Sequence, residues 1–257
     1  MPSAGGLHVT VWGEGDPAVL VHGSLGTGEE HWREQRPLAA RHRLLIVDRR
    51  GYGKSPPGPS DFERDAADVA ALLPERAHVL GLSYGGVASV LAAALRPDAI
   101  RSLTVIEPPA LGLVRGRPEV ERFIERVTEA TREASDGSDY AQRFRAAFGI
   151  PGGGPPLEGS DLASATASWH ERPPWEAEIP LDELANAPFP KLVVRGAWDD
   201  VPPEARERGG RVFASVCDVL VERLGAESAE FPGAAHNAQL LGPPFNERLS
   251  AFWESAR

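Results

Sequence analysis

Seven short apolar runs, most of them separated by longer amphipathic stretches, constrain this chain more than any other feature. LHVTVW (7–12), AVLVH (18–22), LLIVD (44–48), HVLGL (78–82), SLTVIE (102–107), KLVVR (191–195) and a weaker AEFPG (229–233) have the length and β-branched content of strands. EEHWREQRPLAA, DFERDAADVAALL, GVASVLAAALR, EARERGGRVFASVCDVLVERLG and FNERLSAFWESA read as helices. Strands joined through helices pair in parallel and need cover on both faces. The pattern predicts an α/β fold: a doubly wound, mostly parallel sheet of seven to eight strands with flanking helices. Ligands on such sheets sit beyond the carboxyl ends of the strands.

One region breaks the alternation. Residues 108–190 open on Pro108-Pro109 and contain PEVERFIERVTEATREA, DYAQRFRAAF and DLASATASWH, three helical candidates, with a glycine-proline loop at PGGGPP (151–156). We expect an inserted helical lid at 109–188 between two parts of one core, 1–108 and 189–257.

Composition limits the partners. Asp and Glu number 37 against 27 Lys and Arg, a formal net charge of −10, which repels nucleic acid phosphates and anionic lipid. No stretch approaches 20 uninterrupted apolar residues, so no membrane span is expected. The one cysteine, Cys217, lies in an apolar helical pattern and reads as core. With no internal disulfide possible and no secretory signal visible at MPSAGGLHVT, a cytoplasmic protein is expected.

HVLGLSYGGVASVLAAAL (78–95) places Ser83 between Gly81 and Gly85, at a turn from strand to helix. This is the context a G-x-S-x-G nucleophile elbow requires. A serine on so tight a bend projects its hydroxyl, and side chains two positions away would meet neighbouring backbone. The helix that follows presents Tyr84 N–H, at its positive end, to a developing oxyanion.

A serine needs a base, and the base needs an orienting acid. Of seven histidines, His236 in FPGAAHNAQ lies on a loop after the last strand, at the ligand edge. His22, at a strand end, reads as structural, and His8, His31, His42, His78 and His170 as element interiors or polar stretches. Two carboxylates follow Ser83 and precede His236 at strand ends: Asp199, beside Asp200 after KLVVRGAW, and Glu107 before Pro108-Pro109. Either could reach an imidazole. A second oxyanion donor is sought in HGSLGTG (22–28), as Ser24 N–H or, failing that, Leu25 N–H.

VHGSLGTG, DRRGYGKS (48–55), GLSYGG (81–86), VVRGAWDD (193–200) and GAAHN (233–237) resemble, in order and spacing, the α/β-hydrolase fold superfamily. The resemblance spans nearly the whole chain, with about 110 to 188 matching only as a variable cap. It implies Ser83 as nucleophile, His236 as base, and Ser24 and Tyr84 as oxyanion donors. Most members draw the acid from the loop after the strand ending at Arg195, which implies Asp199. Others, including lactone-opening enzymes acting on zearalenone, draw it from the preceding core strand, which implies Glu107. A serine nucleophile is unlike the family's epoxide hydrolases and haloalkane dehalogenases, which use a carboxylate. The early segment leaves little room for the usual opening hairpin, so seven strands or a short first one are expected.

Two other motifs fail. GYGKS lacks the first glycine of a P-loop, since that position is Asp48. GEGDPA precedes a strand instead of opening a helix, unlike a dinucleotide site. No zinc-ligand spacing is present, and no cofactor or metal is expected. The expected reaction is hydrolysis of a small-molecule ester or lactone through an acyl-enzyme. The same residues would serve a C–C bond hydrolase, thioesterase or cofactor-free perhydrolase, and a non-catalytic small-ligand receptor could share the fold.

Overall fold

The computed structural model describes residues 6–150 and 153–256. Its strands are β1 (Val9–Trp12), β2 (Asp16–Val21), β3 (His42–Val47), β4 (Ala77–Leu82), β5 (Ile100–Ile106), β6 (Lys191–Gly196) and β7 (Glu227–Phe231). Among the described residues they form one seven-stranded sheet in the order β1-β3-β2-β4-β5-β6-β7. β1 runs antiparallel to β3, with Val9 opposite Val47 and Trp12 opposite Leu44; every other pair is parallel.

The helices are α1 (Gly28–Trp32), α2 (Phe62–Leu72), α3 (Ser83–Leu95), α4 (Pro118–Glu133), α5 (Gly137–Ala147), α6 (Gly159–Trp169), α7 (Leu181–Asn186), α8 (Pro203–Ala205), α9 (Arg211–Leu224) and α10 (Pro243–Ser255). Local chemistry sets their ends. The Asp61 carboxylate accepts from the Glu63 N–H at 2.8 Å to start α2, Asp136 does the same for α5 through Asp139 N–H, and Pro118 occupies the first turn of α4. Gly225, at φ 58°, stops α9 in the left-handed conformation. The helix expected over EEHWREQRPLAA is α1 followed by 3-10 turns over Arg33–Ala40, because Pro37 has no N–H to continue an α-helical ladder.

The period of two along each strand divides the core. Val19 and Val21 of β2, Val79 of β4 and Val193 of β6 pack with residues of α2, α3 and α9 on one face. Ala18 and Leu20, Leu80 and Leu82, and Leu192 and Val194 pack with Trp32 of α1 and Phe245, Leu249, Phe252 and Trp253 of α10 on the other. β4 is buried along its whole length, which is why it reads in sequence as a continuous apolar run. Cys217 is 2% exposed in the first of these cores.

Helices α4 to α7 lie between β5 and β6 in the chain, within the segment where a lid was expected. Pro151 and Gly152 of the PGGGPP loop lie outside the described residues, as do residues 1–5. No helix among the described residues is long and apolar enough to cross a membrane.

Candidate active site

Loops at the carboxyl ends of β2, β4, β5, β6 and β7 meet helices α4 to α6 around a cavity of about 900 Å³. Ser24, Ser83, Tyr84, Trp198 and His236 open on it, together with Phe123, Phe144 and Phe148 from the inserted helices.

Ser83 is the first residue of α3 and is held at φ 51°, a left-handed conformation that L side chains rarely adopt. Its neighbours explain why the chain uses glycine on either side. A Cβ on Gly81 would stand 2.6 Å from Gly85 O, and one on Gly85 would stand 2.5 Å from Val21 O and closer still to His22 O. The backbone of the β2 loop also passes close to the serine, since a Cβ on Gly23 would lie 3.0 Å from Ser83 Cβ.

Glu107 follows β5 and is fully buried, with φ 39°. Its backbone N–H continues the sheet by donating to Val194 O at 3.0 Å, and the left-handed turn sends the side chain across β6. Oε1 accepts from Gly196 N–H at 3.0 Å and Trp198 Nε1–H at 2.9 Å; Oε2 lies 2.7 Å from His236 Nδ1. A carboxylate with this many donors is held by geometry on both oxygens. With Nδ1–H donating to Glu107, the imidazole keeps Nε2 as an acceptor. The ring of His236 packs 4.4 Å from Phe213 between centroids, with Phe148 and Trp198 beyond 6 Å.

Asp199, the other carboxylate drawn from the sequence, does not meet the imidazole. It is exposed, and its Oδ1 accepts from Gly233 N–H at 2.8 Å, bracing the loop that leads to His236. Asp200 reaches the cavity wall. The difference lies in backbone direction: both residues follow core strands, but only Glu107 is turned back under the β7 loop.

Ser24 and Tyr84 stand at the mouths of the β2 and β4 turns. Tyr84 lies in the first turn of α3, where backbone N–H groups have no intrahelical partner. Its ring lies 4.6 Å from the Arg49 guanidinium carbon, and its hydroxyl donates to Arg172 O at 3.0 Å. Leu25 N–H, the reserve donor, is engaged by Ser168 Oγ at 2.8 Å. His22 donates from Nδ1 to Gly23 O at 2.6 Å and accepts Arg49 N–H at Nε2, a structural tie. Burial pushes its pKa well below the usual histidine range.

Four participants were not singled out in the sequence. Arg49, Ser168 and Glu171 form a buried polar cluster above the β2 loop, with Ser168 joined to it through the Tyr52 hydroxyl. His31 lines the cavity, and burial lowers its pKa to about 4, so it is neutral at physiological pH. The aspartate of DRRGYGKS closes a turn instead of a phosphate site: Asp48 accepts from Gly28 N–H at 3.0 Å and Lys54 N–H at 3.1 Å. No group of three or more His, Cys, Asp or Glu side chains arranged for a metal ion occurs among the described residues.

The pattern defining the alpha/beta hydrolase family matches residues 18–246. The chain is 31% identical over 216 residues to a pimeloyl-[acyl-carrier protein] methyl ester esterase of Aeromonas hydrophila subsp. hydrophila, covering 77% of this chain and 83% of the relative. It is 29% identical over 261 residues to the serine hydrolase BPHL of Mus musculus, covering 96% and 82%. A solved N-acyl homoserine lactone degrading enzyme superposes with a TM-score of 0.64 at 24% identity, covering 96% of each chain.

Proposed function

This chain belongs to the alpha/beta hydrolase family, and from that premise we propose that it is a serine hydrolase cleaving a carboxylic ester or lactone through an acyl-enzyme. The observation that carries the reading is the buried Glu107 carboxylate, 2.7 Å from His236 Nδ1, with His236 and the left-handed Ser83 opening on one cavity.

In this mechanism His236 Nε2 takes the Ser83 Oγ proton as the oxygen attacks the substrate carbonyl. Glu107 fixes the tautomer and stabilises the imidazolium, a role its three donors suit because they hold it in place. Ser24 and Tyr84 N–H stabilise the oxyanion, each such donor contributing about 10²–10³ in rate. The imidazolium returns its proton to the departing alkoxide, leaving the acyl group on Ser83. Water, deprotonated by His236, then attacks the acyl carbonyl, and Ser83 leaves with the proton. Asp199, bonded to Gly233, serves the His236 loop and not the ring.

Residues 109–188 act as the cap over this site, with 1–108 and 189–257 as the core. The cap supplies an aromatic wall, suited to a substrate with a sizeable apolar portion. The mechanism is tested by labelling with a fluorophosphonate. Native protein should react and Ser83→Ala should not. Glu107→Gln should lower kcat by about 10³–10⁴ and Asp199→Asn by less than about tenfold. An unlabelled native protein, or the reverse order of the two carboxylate variants, would contradict this assignment.

A further inference from the structure

The loop that carries Ser24 and Leu25 is fastened by the inserted segment as well as by the core. Glu171, just beyond α6, accepts Ser24 Oγ–H at 2.5 Å on Oε2. On Oε1 it accepts Arg49 Nη2–H and Tyr52 Oη–H, both at 2.6 Å. Ser168, in the last turn of α6, takes Leu25 N–H at 2.8 Å through Oγ and stands 2.9 Å from Tyr52 Oη. Leu25 is held at φ 66°, a conformation that persists only where surroundings over-determine it.

Arg49 completes the clamp. Its side chain is 1% exposed, and it donates to His22 O at 3.0 Å, to Gly23 O at 3.1 Å and to Asp65 of α2 at 2.8 Å. One guanidinium thus ties the carbonyls entering the loop to the carboxylate that grips Ser24. The cluster sets two buried carboxylates against one cation, and burial pushes both the Asp65 and Glu171 carboxyls up in pKa. Such an arrangement is a poor source of stability compared with apolar packing, so what it supplies is position. Three donors from two core loops converge on Glu171, and an ionised carboxylate is the side chain that accepts them all without offering a proton of its own.

We infer that Glu171 is a positioning residue for the oxyanion loop, which makes the inserted segment a working part of the oxyanion site as well as its cover. The inference rests on the serine-hydrolase reading above. It follows that displacement of the end of α6 releases Ser24 and Leu25 together, and that the Ser24 N–H is aimed only while this segment is seated.

Two substitutions separate this role from a structural one. Ser24→Ala keeps the backbone N–H and removes its tether, while Glu171→Gln keeps the shape and removes the charge. kcat is measured per active site, titrated by the burst from a p-nitrophenyl phosphonate, with Tm alongside. Each variant should lose about tenfold in kcat with KM changed less than about threefold, as expected for a misaimed donor. The double variant should be no more than about threefold slower than the slower single, because both remove one tether. kcat per titrated site within about twofold of native in both single variants, with or without a lower Tm, would overturn the inference. So would full multiplication of the two losses to about 100-fold. Native protein that fails to react with the phosphonate, or Ser83→Ala that reacts equally, would instead remove the serine-hydrolase reading and this inference with it.

Discussion

Tyr140 presents a hydroxyl to the cavity that no other described group engages. The residue is 4% exposed and packs against Phe144 at 5.5 Å between ring centroids, while Trp169, Tyr84 and Trp198 nearby all spend their polar hydrogens on protein acceptors. A phenol on the cavity wall with no protein partner can exchange a water for a polar group of the substrate. Tyr140→Phe should therefore raise KM about 3- to 10-fold for esters bearing a hydrogen-bonding group on the apolar portion, and leave purely hydrocarbon esters unchanged. Steady-state kinetics on matched pairs of esters checks this; equal effects on both would contradict it. At this scale the sequence was partly legible. Ser83 announced itself through the glycines its backbone requires. Glu107 and Asp199 could not be told apart, since both end core strands and the choice depends on the sign of one φ angle and the side chain's direction. Glu171 left no local signal, because its partners Ser24, Arg49 and Tyr52 lie more than a hundred positions away.

Among elements, the approach to α9 shows how helix geometry reaches the site. Between α8 and α9 the chain makes a π turn over Arg206–Gly210, where a regular helix was expected from sequence. Gly209 and Gly210 lie under the Trp198 ring; a Cβ on either would stand 2.8 or 2.9 Å from its carbons. Trp198 in turn donates to Glu107. Gly210→Ala should overpack this contact, lowering stability by about 1–3 kcal/mol. Because the ring must move, kcat should also fall while KM holds; thermal melts and kinetics check both, and an unchanged kcat would separate Trp198 from the Glu107 geometry. The strands were legible because the central ones are buried on both faces. β7 was weakest because it is an edge strand whose Glu227 and Glu230 face solvent, with Arg248 and Arg195 as partners. The helix starting at Glu29 was overextended, since Pro37 changes its hydrogen bonding without breaking its amphipathic spacing.

For the whole molecule, pH response follows from histidines buried without charge. Burial lowers His78 to about 3 and His31 to about 4, and places His22 well below its usual value. The unfolded chain binds these protons near pH 6.5 and the native chain does not, so their contribution is intact above pH 6.5. It is lost as pH falls from there toward 4, by up to about 1.4 kcal/mol per pH unit for each group. Asp65 and Glu171, whose pKa values burial raises, act in the opposite sense and offset part of the loss. Tm should fall steadily between pH 6.5 and 4.5; a level Tm over that range would contradict it. A last consequence concerns the five non-glycine residues with positive φ among those described. Arg76 sits at the amino end of β4, but Leu25, Ser83 and Trp198 border the cavity, and Glu107 lies behind it against His236. Breeding this protein for heat tolerance would find its easiest gains by relaxing those four turns, and each gain would be taken from turnover.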